Sequence, residues 1–296
     1  MKIQEIIRRY NKGIEPSAIA RDLNIHKSTV YRWIKRSKSI YTLKPSSRNL
    51  RKKSTRPNKI HSSLTNKDRI DIVKLREDKG YCAIKIKHEL NLSVHYRTVH
   101  RFLQSKGLII EEYNFRRPRF QDTKHMHLSN TKTIGYLQMD VKYITPELSG
   151  LDWTCYEYAI IDIYSRYKEA VILNQLDQDG SISALITMIP RLPFEVKFVQ
   201  TDNGLEFQSR FRDIVNEIGL KHHHTHKKSP NENALIERSF RTDEEEFFFR
   251  MKRRPNDYDD LRNMFSSYLK EYNEARPHLG IGLLTPSQLV ANVLSH

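Results

Sequence analysis

Cysteine is almost missing: only Cys82 and Cys155 occur in 296 residues. Two thiols cannot build a disulfide framework, and they show no paired metal-ligand spacing, which excludes a stapled secreted scaffold and fits a reducing compartment. No run of about 18 apolar residues occurs, so no membrane-spanning helix is expected. The start, Met1-Lys2-Ile3-Gln4-Glu5-Ile6, lacks the apolar core of a signal peptide. A glycine-rich nucleotide-binding loop is also absent, so no small-molecule cofactor is expected. Together these absences predict a chain of the cytoplasm, nucleoid-associated in a bacterial-type cell, without a membrane partner.

Acidic residues are scarce at the front of the chain. Residues 1–64 hold 3 Asp/Glu against 17 Lys/Arg, a net +14; residues 65–130 hold 8 against 14, a net +6; residues 131–296 hold 24 against 20, a net −4. The formal charge of +16 is therefore concentrated where a polyanion would bind, because Lys and Arg that neutralise phosphates release condensed counterions. What is present in quantity is apolar: 38% of the residues, enough for a real core.

Periodicity then divides the chain. Ile3, Ile6, Ile7 and Tyr10 recur at helical spacing, Gly13 stops that helix, and Pro16-Ser17 opens a second with Ile19, Ala20 and Leu23 inward. A third helix, about His26 to Arg36, buries Val30, Trp33 and Ile34. Three short helices with a tight second turn describe a helix-turn-helix over residues 1–38. Its third helix offers Lys27, Ser28, Thr29, Tyr31 and Arg32 to base edges and phosphates. The alternative is a small helical bundle that touches no DNA.

Residues 39–64 are rich in Lys, Arg, Ser and Pro and read as a basic linker. A second three-helix unit occupies 65–110. Its first helix, about Lys67 to Asp78, has Ile70, Val73 and Leu75 inward. Its last, near Val94 to Lys106 and capped by Ser93, presents His95, Tyr96, Arg97, Thr98 and Arg101. Residues 111–130 are another basic connector.

From 131 to 296 strands and helices alternate. Leu137, Met139, Val141 and Tyr143 point one way, and Gln138, Asp140 and Lys142 the other. A hairpin, Tyr158–Ile163 with Glu169–Leu173, turns around Ser165-Arg166. Helices follow near 179–189 and 206–218, with strands at 196–200 and 222–225. Ser229-Pro230-Asn231-Glu232 has the form of a capping box, opening a helix that runs towards Arg250.

Three acids stand out on three elements: Asp140 mid-strand, Asp202 at a strand end, and Glu237 two turns into the capped helix, with Asn233 and Arg241 at i±4 on one face. Singly each is ordinary, since Asp before Asn-Gly is common turn chemistry and a helical Glu is commonly solvated. As a set they can converge on hard cations that prefer oxygen ligands. Two such ions can activate an attacking oxygen and stabilise the leaving oxygen of a phosphodiester.

The blocks Leu137-Gln138-Met139-Asp140, Gln200-Thr201-Asp202-Asn203-Gly204-Leu205-Glu206-Phe207 and Ser229-Pro230-Asn231-Glu232-Asn233-Ala234-Leu235-Ile236-Glu237-Arg238 resemble the three signature blocks of insertion-sequence transposases in the retroviral-integrase superfamily. Thirty-four residues separate Asp202 from Glu237, close to that family's usual interval. Ile161-Asp162-Ile163-Tyr164-Ser165-Arg166, Tyr272-Asn273-Glu274-Ala275-Arg276-Pro277-His278 and Leu284-Thr285-Pro286 resemble further family features, over about residues 131–290. The resemblance implies a ribonuclease-H-like fold, an α/β core with a mixed sheet flanked by helices behind two all-α helix-turn-helix domains. It implies Asp140, Asp202 and Glu237 as catalytic ligands of two divalent ions, Mg²⁺ or Mn²⁺. Ala234 departs from the Gly of many relatives, and the retroviral two-His, two-Cys zinc module is absent.

Other groups carry less. Lys221-His222-His223-His224-Thr225-His226 is a strand whose adjacent histidines face opposite ways, which argues against a shared metal. Asp162 near the hairpin turn reads as a structural hydrogen-bond acceptor, and Glu244-Glu245-Glu246 as a solvated helix face. Lys228 and Arg241 are placed to hold phosphate near the acids. The expected function is transposition: binding of transposon ends, metal-dependent strand cleavage, and transfer of the freed 3′-hydroxyl to target DNA by a homo-oligomer on DNA. A nuclease of the same fold that cuts without joining, or a DNA-binding regulator without activity, are the alternatives.

Overall fold

The structure is a computed structural model that describes residues 2–37, 63–109, 131–225 and 232–295. It forms two compact units, Met1–Ser62 and Ser63–His296. The expected basic connector 111–130 and the linker up to residue 62 lie outside the described residues, as do Lys228 and Ser229-Pro230-Asn231.

The first unit contains α1 (Lys2–Asn11), α2 (Pro16–Asp22) and α3 (Lys27–Ser37). Ile6, Ile7, Ile19, Ala20, Val30 and Ile34 form its core. Asn24 turns the chain between α2 and α3 in left-handed backbone (φ 49°), a conformation Asn tolerates, and Ile25 N–H bonds back to Ala20 O. The second unit opens with the same device. It carries α4 (Asn66–Lys79), α5 (Ala83–Glu89) and α6 (Tyr96–Ser105), with Asn91 at φ 46° and Leu92 N–H on Lys87 O. The imidazoles of His26 and His95 accept the N–H of Ser28 (3.3 Å) and Arg97 (3.2 Å) at the starts of α3 and α6.

Three expectations for this second bundle are corrected. His95, not Ser93, caps α6, which starts at Tyr96 rather than Val94. Ile72 is fully buried while Ile70 is 68% exposed; apolar residues around much of α4 leave its inward face ambiguous in sequence. Leu64, assigned to the linker, is buried in this bundle's core.

The sheet comprises β1 (Tyr136–Ile144), β2 (Cys155–Asp162), β3 (Lys168–Leu173), β4 (Phe198–Thr201) and β5 (Lys221–His224), in the order β3-β2-β1-β4-β5. β1, β2 and β3 are antiparallel neighbours, whereas β4 runs parallel to β1 and β5 parallel to β4. This is the mixed, helix-flanked sheet of a ribonuclease-H-like fold. Besides the short α7 (Pro146–Ser149), the helices are α8 (Gln178–Met188), α9 (Arg210–Glu217), α10 (Ala234–Glu246), α11 (Tyr258–Glu274) and α12 (Pro286–Leu294). On one face Leu137, Met139, Tyr158 and Ile160 pack with α8 and α9. On the other, Ala159, Ile161 and Ile172 pack with Phe240 of α10 and Phe265 and Leu269 of α11. Side-chain alternation thus turns Gln138 and Asp140 towards α10.

The segment expected as one helix over 206–218 is broken: a 3-10 turn at Leu205–Phe207 precedes α9, with Ser209 at φ 34° between them. α10 stops at Glu246, short of Arg250.

Two buried charge networks fix α10. Lys168 Nζ, fully buried, contacts Glu157 Oε1 at 3.0 Å and Asp243 Oδ2, and Tyr268 Oη donates to Asp243 Oδ1 at 3.0 Å. At the helix's far end Glu246 binds Arg276 in bidentate fashion (2.6 and 2.8 Å) and Lys85 of α5 at 3.3 Å. Arg250 Nη1 donates to Glu77 O at 2.5 Å, and Lys79 pairs with Glu271 at 2.8 Å. The second helical bundle is therefore seated on α10 and α11. This corrects the reading of Glu244-Glu245-Glu246 as a solvated face: Glu246 is the docking residue, Glu244 pairs with Lys142, and only Glu245 is exposed.

Candidate active site

Asp140 and Asp202 reach the site by one construction used twice. In β1 the order is Gln138-Met139-Asp140 and in β4 and just beyond it Gln200-Thr201-Asp202. The last paired rung between these parallel strands is Gln138 opposite Gln200. Both aspartates follow two residues later, Asp140 on the side of Gln138 and Asp202 just past the end of β4, where the strands part. A crevice at the carboxyl ends of parallel strands is where ligands enter open sheets.

Asp140 is half-buried, and its Oδ1 accepts the Val141 N–H at 2.8 Å. Burial, with the carboxylates of Asp202, Glu237 and Glu206, pushes its carboxyl up to about 7 against the Val141 hydrogen bond. Asp140 thus feels the negative charge of the two other expected acids and of a fourth, Glu206. Glu206 belongs to the second block, and a 3-10 turn at Leu205–Phe207, invisible to periodicity, brings its charge to bear on Asp140. Its carboxylate folds over Gly204, where an added Cβ would stand 2.7 Å away.

Asp202 also does the turn chemistry expected of Asp-Asn-Gly, its Oδ1 accepting Gly204 N–H at 2.8 Å. Asn203 Nδ2 donates to Thr225 O at 2.9 Å, tying the turn to the end of β5. His224 Nδ1 donates to Asp202 O at 2.9 Å. Thr201 Oγ1 lies 2.9 Å from His222 Nε2, and the rings of His222 and His224 meet edge-on at 4.4 Å. Burial, with the neighbouring His224, Arg212 and His223, holds His222 down at about 4. His223 points away, towards Phe198.

Glu237 is exposed and lies in the first turn of α10, not two turns in, because the helix begins at Ala234. Arg241 is exposed one turn further on. Asp162 is fully used within the fold: Oδ1 accepts Gly135 N–H and Tyr136 N–H, and Oδ2 accepts Ser165 N–H and Oγ–H. In the helical units Lys27, Ser28, Tyr31, Arg32, His95, Arg97 and Arg101 are exposed, and Thr29, Tyr96 and Thr98 partly so.

An oxygen-only set of acids that repel one another fits a hard divalent cation in donor type and charge. Among the described residues no three His, Cys, Asp or Glu side chains stand at ligand spacing, so the acids approach one another without closing into a cage.

Residues 218–286 match a family model described as an integrase core domain, and residues 2–41 one described as a homeodomain-like domain. The first match contains Glu237 and lies beyond Asp140 and Asp202. A curated relative, "Putative integrase ORF3" of Spiroplasma virus SpV1-C74, is 27% identical over 186 residues, 57% of this chain and 51% of that protein. The chain therefore spans about half the length of that relative. Among solved structures, the simian T-cell lymphotropic virus intasome in complex with PP2A regulatory subunit B56 gamma is similar at 17% identity and TM-score 0.48, over 74% of this chain and 73% of that one. The HTLV-2 integrase catalytic core domain in complex with magnesium, in its trimeric form, is similar at 18% identity and TM-score 0.41, over 52% and 95%. Residues 218–286 are thus similar to an integrase core domain and residues 2–41 to a homeodomain-like domain.

Proposed function

We propose that the chain is a DNA transposase that binds the ends of a mobile element, cleaves DNA strands there, and joins them to target DNA as a homo-oligomer. The observation that supports this reading is that Asp140 lies where β1 and β4 part, buried enough that the carboxylates of Asp202 and Glu237 act on its own. These three acids would hold two divalent ions, Mg²⁺ or Mn²⁺, which supply activation of the attacking oxygen and charge neutralisation on the leaving oxygen. Cleavage and joining are both in-line displacements at phosphorus, so one site serves both. Asp140, on β1, and Asp202, in the turn that ends β4, would form the floor of the site. Glu237 closes it from α10, and Arg241, one turn along, faces the phosphates flanking the reacting bond. The front of the chain supplies recognition: Lys27, Ser28, Thr29, Tyr31 and Arg32 of the first helical unit, and His95, Tyr96, Arg97, Thr98 and Arg101 of the second.

The test is incubation of the full chain with the DNA flanking its own gene, with Mg²⁺, Mn²⁺ or EDTA. Cleavage and joined products should require the metal. Glu237→Gln should lose both while binding the DNA ends as before, because Gln keeps shape and helix propensity but removes an anionic ligand. A loss of several kcal/mol of charge stabilisation, at about 1.4 kcal/mol per tenfold in rate, makes activity undetectable. Normal cleavage by Glu237→Gln, or full activity in EDTA, would sink the assignment; cutting without joined products would favour the nuclease reading.

A further inference from the structure

α10 begins at Ala234, and its first N–H groups have no partner within the helix. Asn233, at the N-cap position, makes no side-chain cap bond. The cap comes instead from the sheet: Gln138 Oε1 accepts the Ile236 N–H at 3.1 Å, and Gln138 Nε2 donates to Glu232 O. Gln200 Nε2 donates to the same Glu232 O at 2.7 Å and lies 3.4 Å from Asn233 Oδ1. Both amides are buried, at 3% and 2% exposure. One carbonyl thus accepts from β1 and from β4, and the peptide next to it starts the helix that bears Glu237.

From this geometry we infer that Gln138 and Gln200 are positioning residues that set Glu237 in register with Asp140 and Asp202. The inference rests on the reading of those acids as a metal-binding set. Packing alone does not require the amides. Ile236 and Phe240 already seat α10 on the sheet, and an apolar side chain of equal volume would bury there with less desolvation cost. What an amide adds is direction. A slip of α10 by one residue displaces its side chains by about 1.5 Å along the axis and about 100° around it, enough to carry Glu237 out of the site. Two donors from two strands on one carbonyl oppose both movements. Each glutamine also stands two residues before an aspartate, Asp140 on the same strand and Asp202 one residue past the end of β4, so the clamp lies a short, fixed length of chain from either acid.

The experiment uses the full chain as wild type, Gln138→Met, Gln200→Met and Asp140→Asn. Bound Mn²⁺ is read by electron paramagnetic resonance, and thermal unfolding is recorded without metal. Methionine keeps the volume and removes the hydrogen bonds. Removing a group that orients a metal ligand costs about 10- to 100-fold in metal affinity, so each Met variant should weaken Mn²⁺ binding at least tenfold. A lowered unfolding midpoint with Mn²⁺ affinity unchanged in both Met variants would show a structural clamp only and overturn the inference. If Gln138→Met does not fold, Gln200→Met decides, since Gln138 still caps the helix there. Failure of the underlying reading looks different: Asp140→Asn would then bind Mn²⁺ as the wild type does, and the inference would fall with it.

Discussion

Glu245 and Glu246 are neighbours in a run of three identical side chains, yet their surroundings demand opposite behaviour. Glu245 is 51% exposed on its side chain and only 3.7 Å from Arg238; Glu245→Gln should leave cleavage and stability within a few-fold, roughly under 1 kcal/mol. Glu246, 12% exposed, neutralises Arg276 and Lys85, both nearly buried. Glu246→Gln should cost about 2–3 kcal/mol, read as a shifted urea midpoint, because two cations would face a neutral amide. His278 gives the pH counterpart. Burial, then Arg276, Lys85 and Arg166, hold its imidazole down at about 2 against an ordinary 6.5, with only the Tyr272 carbonyl opposing. The unfolded chain therefore takes a proton that the folded one refuses. This contribution is complete above pH 6.5 and is lost as pH falls. The slope is at most about 1.4 kcal/mol per pH unit. Urea midpoints between pH 7 and pH 4 should fall less steeply for His278→Gln than for the wild type; equal slopes would remove His278 from the account.

Among the elements, α10 carries the most instructive contrast between what residues announce and what they do. Its approximate position is legible, because the block around Glu237 follows turn and capping residues that open a helix. Its phase and ends are not. The true cap is Gln138, 98 residues away in sequence from Ile236, and no local pattern encodes a cap delivered from another element. Strand alternation puts Gln138 on the side of Asp140, but polarity on a strand does not say which atoms it will meet. The same holds for Lys168, which looks like a routine cation on an edge of the hairpin. In the fold it is completely buried between Glu157 and Asp243, joining β2, β3 and α10. Burial pushes the Glu157 carboxyl up, while the two acids hold the Lys168 ammonium up against its own burial. Lys168→Met leaves those carboxylates facing each other without their cation, and the expected loss is about 3–5 kcal/mol by chemical denaturation. A loss under about 1 kcal/mol would mean that solvent or proton uptake compensates.

For the whole molecule, charge asymmetry is the sequence property that reaches furthest. With 17 Lys/Arg in residues 1–64 and 14 in 65–130, binding of the full chain to duplex DNA should be steeply salt-dependent. With roughly 6–10 phosphate contacts, affinity should fall about 10³- to 10⁵-fold between about 50 and 200 mM salt. A flat response would contradict an electrostatic footprint. Charge counting did not show that the second helical bundle belongs with the core. The ion pair from Lys85 to Glu246 spans 161 residues of sequence, and neither partner is unusual by itself. That junction makes α10 a gauge. From Glu246 at the docked bundle to Glu237 in the crevice is nine residues of helix, about 14 Å, or about four nucleotide steps along one strand. On the proposed function, DNA gripped by α6 would be cut at a set distance from its footprint, whatever the first unit does. Deleting five residues from within 39–62 should change the affinity for the ends and leave the position of the nick at the same nucleotide; a nick that moves with the deletion would transfer the measuring role to the first unit.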